Sequence, residues 1–331
     1  MICWYLHSMT TSKQSPDGWT PADVPDQTGR TFVVTGGNAG IGYFISEHLA
    51  RAGAYVVIAS RNAKKAAAAQ SAIRHEVPGA SLGYLHLDLN SIDEVRKAAD
   101  DLARLPRIDA LIENAGVMSP PGKGELTADG HELIMGVSHL GNFALTALVL
   151  PVLQLTPGSR IVTTSSMMAK RFNTPVDDLE SPARNAVLAY ARAKSAVELF
   201  SYELDRRLRA ARSPVKAVIT HPGMGHDSLS PDRPGVHVHR RFERFREPLF
   251  AWVGQGKDLS AWSAVRAATD PAVEGGQYWG PHKRVTGMPS LVEGAARNRD
   301  RATGERLWAD SERLTGVTFR VPGAAHMDAM S

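Results

Sequence analysis

Cys3 is the sole cysteine, so no intramolecular disulfide can form and a reducing, cytoplasmic setting is expected. Long apolar runs are missing too. Nowhere do 18 apolar residues follow one another, which on length argues against a membrane-spanning helix. The opening MICWYLHSM is too short and too poorly patterned for a secretory signal. Met9 offers a second start, and no function is placed in residues 1–8. A large excess of one charge is also lacking: 38 Lys and Arg stand against 34 Asp and Glu, a formal +4. That falls short of the basic stripe of a nucleic-acid binder, so no nucleic-acid partner is expected. The one visibly basic stretch, VHVHRRFERFRE at 236–247, suits an anionic partner or, more commonly, a solvated helix face. His237 and His239 alternate there, but no third ligand at sensible spacing follows, and no metal is expected.

What is present is a rhythm. TFVVT (31–35), YVVIA (55–59), LGYLHL (82–87), ALI (110–112), RIVTT (160–164) and KAVIT (216–220) read as strands. Their nearly continuous apolar character suits strands covered on both faces. Helical patterns run over 40–53, 91–105, 129–153 and 188–210, with Ser91 and Glu94 forming a capping-box signature. Further helical stretches fall at 263–270 and 306–316, and GGQYWG (275–280) supplies one more strand. The prediction is an α/β fold: a single Rossmann-type, doubly wound parallel sheet of about seven strands, helices on both faces, and a flap after strand six. No internal repeat or low-complexity linker divides the chain. The expected layout is an N-terminal arm (1–28), one domain (29–321) including a flap at 223–256, and a tail (322–331). The flap's position past a strand's carboxyl end points to substrate covering, with a structural insertion as the alternative.

The first strand runs into TGGNAGIG, Thr35–Gly42, and then into a helix. Gly36, Gly40 and Gly42, with Asn38 and Ile41 between them, permit a tight turn and close backbone approach to a diphosphate at a helix N-terminus. A dinucleotide is therefore expected. An acidic residue at the end of the second strand would select NAD; here Ser60, Arg61 and Asn62 stand there instead. A guanidinium suits a 2′-phosphate, so NADP(H) is the expected cofactor. Lys64 and Lys65 either assist or simply begin a solvated helix.

The fifth strand ends in Ser165 and Ser166, and Tyr190-Ala-Arg-Ala-Lys194 follows. Positions i and i+4 of a helix share a face, which sets Lys194 beside the Tyr190 hydroxyl. An ammonium and a cationic nicotinamide both favour tyrosinate, bringing tyrosine's pKa of about 10 toward neutrality. Such a group exchanges a proton with a carbonyl or alcohol oxygen, while Ser166 holds that oxygen in place.

These pieces resemble a known family, the short-chain dehydrogenases/reductases, and within it the retinol-dehydrogenase-like and protochlorophyllide-reductase-like branch. The matching segments extend from Trp19 to about Val321. They include WTPADVPDQTGRTFVVTGGNAGIG, SRN after strand two, LDL (87–89), ENAGVM (113–118), TADGHE (127–132), SHLGNFALT, RIVTTSS, YARAK, THPG and RLWADSERLTG. The resemblance implies that Asp88 and Leu89 lie near the adenine, that Asn114, Ala115 and Gly116 pack along the cofactor, and that Pro222 and Gly223 border the nicotinamide. It makes Ser166, Tyr190 and Lys194 the catalytic trio.

The pattern breaks at three places. Ser138 stands where relatives carry the fourth catalytic residue, an Asn that holds a water linking the lysine to solvent. Either the relay survives in altered form, through His139 or a backbone carbonyl, or proton transfer is slower, or the chemistry has changed. Glu113 stands where an Asn often precedes Asn114, and reads as a tolerant strand-end residue. Asp227 takes the place of a Thr that bonds the nicotinamide amide in relatives. The expected function is an NADP(H)-dependent oxidoreductase acting on a carbonyl or secondary alcohol of an apolar small molecule. Met224, Phe242, Phe245, Phe250 and Trp252 either line that site or only pack the flap. The alternatives are a non-redox isomerase, dehydratase or cyclase, and a cofactor-binding sensor. A homodimer through helices 129–153 and 188–210 is a further expectation.

Overall fold

A computed structural model describes residues 18–118, 124–181, 184–238 and 254–322. Alternation along the strands decides the architecture. In β1 (Thr31–Thr35), Val33 turns to one face while Phe32 and Val34 turn to the other, and each set joins its own apolar core. β2 (Tyr55–Ser60) and β4 (Ala110–Glu113) repeat the division. Val57 and Leu111 join Val33; Val56, Ile58, Ala110 and Ile112 join Phe32. Both faces are thus buried, as a parallel sheet between two helical layers requires.

The strands lie in the order β10 (Pro289–Leu291), β9 (Tyr278–Pro281), β6 (Lys216–Thr220), β5 (Arg160–Thr164), β4, β1, β2, β3 (Leu82–His86). All pairings are parallel except that of β10 with β9. The doubly wound fold is as expected, but the sheet has eight strands where about seven were read. The extra one, β10, has only three residues and opens with a proline, a pattern that argues against a strand. A separate pair, β7 (Gly225–His226) and β8 (Gln255–Gly256), runs parallel beyond β6.

Helices α1 (Gly40–Arg51), α2 (Ala63–Glu76) and α7 (Lys257–Thr269) cover the Phe32 face. The Val33 face is covered by α3 (Ile92–Leu102), α4 (Leu133–Gln154), α6 (Ala186–Ala210) and α8 (Arg301–Thr315). A short α5 (Met167–Arg171) follows β5. Ser91 caps α3 by accepting from the Glu94 amide at 3.5 Å, half of the reciprocal box that was expected. α4 begins at Leu133, not at 129. Gly130 has a φ of 85°, and the Glu132 carboxylate accepts from the amides of Ile134 and Met135. Residues 136–140 of α4 form a π-turn.

One expectation needs correcting here. Among the described residues one helix, Leu133–Gln154, is long and apolar enough to cross a membrane by length and composition, because a few interspersed polar residues do not spoil its average. Of its most apolar 18-residue window 83% is buried inside the fold, and it packs as a core helix. A homodimer through α4 and α6, the other expectation, is not shown. α4 and α6 are covered by the chain's own α8, whose Trp308 packs edge-on to Phe143 and against Phe200. Of the arm at 1–28, residues 18–28 are described and pack on the body: Trp19 is buried, and the Gln27 amide donates to the Ala52 carbonyl. The basic stretch at 236–247 lies outside the described residues beyond 238, as do Phe242, Phe245, Phe250, Trp252 and His239.

Candidate active site

β1 lies between β2 and β4, so the chain passes from one side of β1 to the other and leaves a crevice at the strands' carboxyl ends. Two residue groups meet there. The first is the glycine turn. Gly36 takes a φ of 68°, open to glycine at little cost. A side chain on Gly42 would run into the Gly36 carbonyl, so helix and turn touch at backbone distance. Thr35 ties the turn to β4: its hydroxyl accepts from the amides of Asn114 (3.1 Å) and Ala115 (3.0 Å), and its carbonyl accepts from Asn114 Nδ2 at 3.0 Å. α1 has no side-chain N-cap bond. Its first amides thus face the crevice beside glycines, which is the geometry of a diphosphate cradle. Asn38 and Ile41 are half-buried within it. The residues present fit a dinucleotide.

At the end of β2, Arg61 is exposed. Its neighbours have structural duties: Ser60 Oγ accepts from the Asn62 amide at 3.1 Å, and Asn62 caps α2 by accepting from the Lys65 amide. Asp88 accepts from the Asn90 amide, and buried Leu89 packs against Gly141 of α4. Pro222 and Gly223 follow β6 and its flanking His221; Pro222 O accepts from Gln255 Nε2 at 3.2 Å. Gly223, at a φ of 69°, touches the Val285 carbonyl.

The second group hangs from β5 and α6. Asn185 starts α6 by accepting from the Leu188 amide at 3.0 Å. One turn further on, Tyr190 and Lys194 share a face, with Lys194 Nζ 5.7 Å from the Tyr190 ring centroid. Nζ donates to the Thr164 carbonyl at 2.6 Å, fixing a buried ammonium to the last residue of β5. Ser166, two residues beyond, hydrogen-bonds the Tyr190 hydroxyl. Burial raises the Tyr190 pKa, opposed by that bond. Burial also brings Lys194 down to about 8, opposed by the charge of Glu113. Gly116 closes the site: a Cβ there would stand 3.2 Å from Ser138 Oγ and 3.5 Å from Lys194 Nζ. Tyr190, Ser166, Lys194 and Ser138 therefore meet around one point, with a proton donor, a hydroxyl partner and a cation in reach of it.

The departures from pattern acquire concrete places. Ser138 is buried in the π-turn, and its hydroxyl accepts from the Val117 amide at 3.3 Å. Its carbonyl accepts from Asn142 Nδ2 at 3.1 Å. His139 is no relay. It faces the opposite way, its Nε2 2.8 Å from Ser311 Oγ and its ring against Phe200, and burial drops its pKa to about 3. Glu113 is no tolerant strand end either: its carboxyl is buried, takes the Thr146 hydroxyl, and is raised by burial to about 8. Asp227, 53% exposed at its side chain, pairs with Lys257 at 2.6 Å. Among the described residues no group of three His, Cys, Asp or Glu is placed to hold a metal ion.

The short chain dehydrogenase family model matches residues 30–229, which take in the glycine turn, Ser166, Tyr190 and Lys194. The chain belongs to that family. It is 35% identical over 284 residues to human retinol dehydrogenase 13, covering 84% of each protein. Human polyprenol dehydrogenase is 36% identical over 267 residues, 78% of each. These likenesses set this short-chain dehydrogenase in the retinol-dehydrogenase-like branch. A crystal structure from Mycobacterium paratuberculosis superposes with a TM-score of 0.74 at 35% identity, covering 92% of this chain and all of that one. A short chain dehydrogenase from Burkholderia cenocepacia in complex with NADP gives 0.55 at 26% identity, covering 74% and 92%.

Three residues at the crevice make contacts that a reading of motifs does not reveal. Thr35 and the Thr164 carbonyl serve through side-chain and backbone bonds that only the folded sheet reveals. Lys257 lies outside every motif and reaches the site from the start of α7. For Glu113 a signal existed: a carboxylate at the end of an otherwise apolar strand.

Proposed function

We propose that this short-chain dehydrogenase is an NADP(H)-dependent oxidoreductase working on a carbonyl or alcohol carbon of an apolar organic molecule, with Tyr190 as acid and base. The observation that carries the proposal is the convergence of Tyr190, Ser166 and Lys194 at the carboxyl end of β5, with Lys194 pinned to Thr164. The bound dinucleotide supplies or accepts the hydride. In the reducing direction the Tyr190 hydroxyl gives its proton to the substrate oxygen, and Ser166 donates a hydrogen bond to that same oxygen. The tyrosinate left behind is stabilised by the buried Lys194 ammonium, which holds the replacement proton. In the oxidising direction the same atoms move the proton back.

Exposed Arg61 and the lack of a carboxylate at the end of β2 support NADP(H) over NAD(H). The NADP-bound Burkholderia cenocepacia relative points the same way. An apolar substrate is supported by the relatives named for retinol and polyprenol. The test pairs wild type with Tyr190→Phe, following NADPH binding by fluorescence and turnover by absorbance across aromatic ketones, quinones and aldehydes. The expected variant binds NADPH as the wild type does and loses turnover by about 100-fold or more. A variant that turns over normally ends the assignment of Tyr190. Product formed without net NADPH loss ends the redox reading.

A further inference from the structure

Beyond the catalytic trio, the Asp227–Lys257 pair stands where this reaction has no use for it. The pair is built in by register. β7 and β8 run parallel with Gly225 opposite Gln255 and His226 opposite Gly256. The next residue of each strand is Asp227 on one side and Lys257 on the other. Their side chains meet at 2.6 Å, and the Lys257 amide donates to Ser230 Oγ at 2.8 Å, holding the start of α7 against the same segment. His237 lies alongside, Nε2 3.1 Å from the Asp227 carbonyl oxygen and Nδ1 3.8 Å from its carboxylate.

The pair also lies over the glycine turn. A Cβ built on Gly40, the first residue of α1, would be 3.7 Å from Lys257 Nζ and 3.9 Å from its Cδ. Two positive features thus converge: a lysine ammonium and the amino end of a helix whose first turn has no side-chain cap. Asp227 is the carboxylate bonded to that ammonium, and with half of its side chain exposed it can let go at little cost.

We propose that Lys257 is a ligand for the diphosphate of the bound dinucleotide, and that Asp227 is a built-in competing anion which the diphosphate displaces. The inference rests on the reading that a dinucleotide binds at the glycine turn. It gives Asp227 a role different from that of the Thr at its position in relatives. Instead of contacting the nicotinamide amide, Asp227 lowers cofactor affinity and speeds cofactor exchange.

The experiment is a fluorescence titration with NADPH and with NADH, on wild type, Lys257→Met, Asp227→Asn and Arg61→Ala. The diphosphate is common to both dinucleotides. Lys257→Met is therefore expected to weaken both alike, by about tenfold, the loss of one charge-assisted contact. Asp227→Asn is expected to tighten both several-fold. Arg61→Ala weakens NADPH alone, which separates the ribose end from the diphosphate. An unchanged Kd in Lys257→Met overturns the proposal, as does weaker binding in Asp227→Asn, since that makes Asp227 a prop and not a competitor. If wild type binds neither dinucleotide, the proposed function itself falls. If wild type binds and only the Lys257 and Asp227 variants behave otherwise than expected, the proposed function stands and this inference alone is lost.

Discussion

Glu113 closes a strand whose other three residues are Ala, Leu and Ile, and it is buried along with them. Its carboxyl faces the same layer as Lys194, and each opposes the effect of burial on the other. The sign of its effect on stability follows. A carboxyl raised by burial from the ordinary 4.5 to about 8 binds its proton more tightly when folded. Its contribution is complete below pH 4.5 and is lost as pH rises through 8. Lys194, lowered to about 8, runs the other way, so the two must be separated by substitution. Glu113→Gln keeps an acceptor for Thr146 and removes the titration. The variant is expected to gain on wild type steadily between pH 5 and 8, on the order of a few kcal/mol in all, in urea melts read at several pH values. A constant difference across that range would show that Glu113 does not titrate there. The same variant removes the charge that supports the Lys194 ammonium. The alkaline fall of kcat/KM for carbonyl reduction is thus expected to move to lower pH.

At the level of elements, α6 carries Tyr190 and Lys194, and a single residue outside it sets its first turn. Asn185→Ala removes the acceptor for the Leu188 amide and is expected to cost about 1 kcal/mol, read as a lower denaturation midpoint with NADPH binding retained. No change in midpoint would mean that solvent or a neighbour takes over the cap. Elements of this kind were legible because their signals are local. The strands at 31–35, 160–164 and 216–220 stand as read, and the Tyr190–Lys194 spacing needs only helical geometry. What was not legible depends on contacts between distant segments. The onset of α4 is delayed by a Glu132 cap and the positive φ of Gly130, features a periodicity count over 129–153 passes through. His139, next to Ser138, turns to Ser311 of α8, a partner 172 residues away. Lys257, just past the flap read at 223–256, drew no reading, because its contact with Asp227 comes from the β7–β8 register, two residues long on each side.

For the whole molecule, the C-terminal helix is the piece that ties the end of the chain to the core. Trp308 of α8 and Phe319 beyond it stack at 4.4 Å and pack with Phe143 and Phe200, while Arg207 lies 4.0 Å over the Trp308 ring. This cluster seals the outer side of α4 and α6 within one chain. Sedimentation is therefore expected to report a monomer of 35.7 kDa. Trp308→Ala is expected to destabilise by about 3–5 kcal/mol and to expose apolar surface to a reporter dye. A wild-type dimer at micromolar concentration would show that another face is used.

The sheet has two ends, and they differ. β10 contributes three residues, the first a proline with no amide hydrogen to offer. A further strand laid along it would find few donors waiting, so the sheet is closed to growth on that side. β3 is the other margin, five residues long and half-open to water, with Tyr84 and His86 turned outward. Of the two margins it is therefore β3, on the side of the crevice where exposed Arg61 follows β2, at which an invading strand would have amides to pair with.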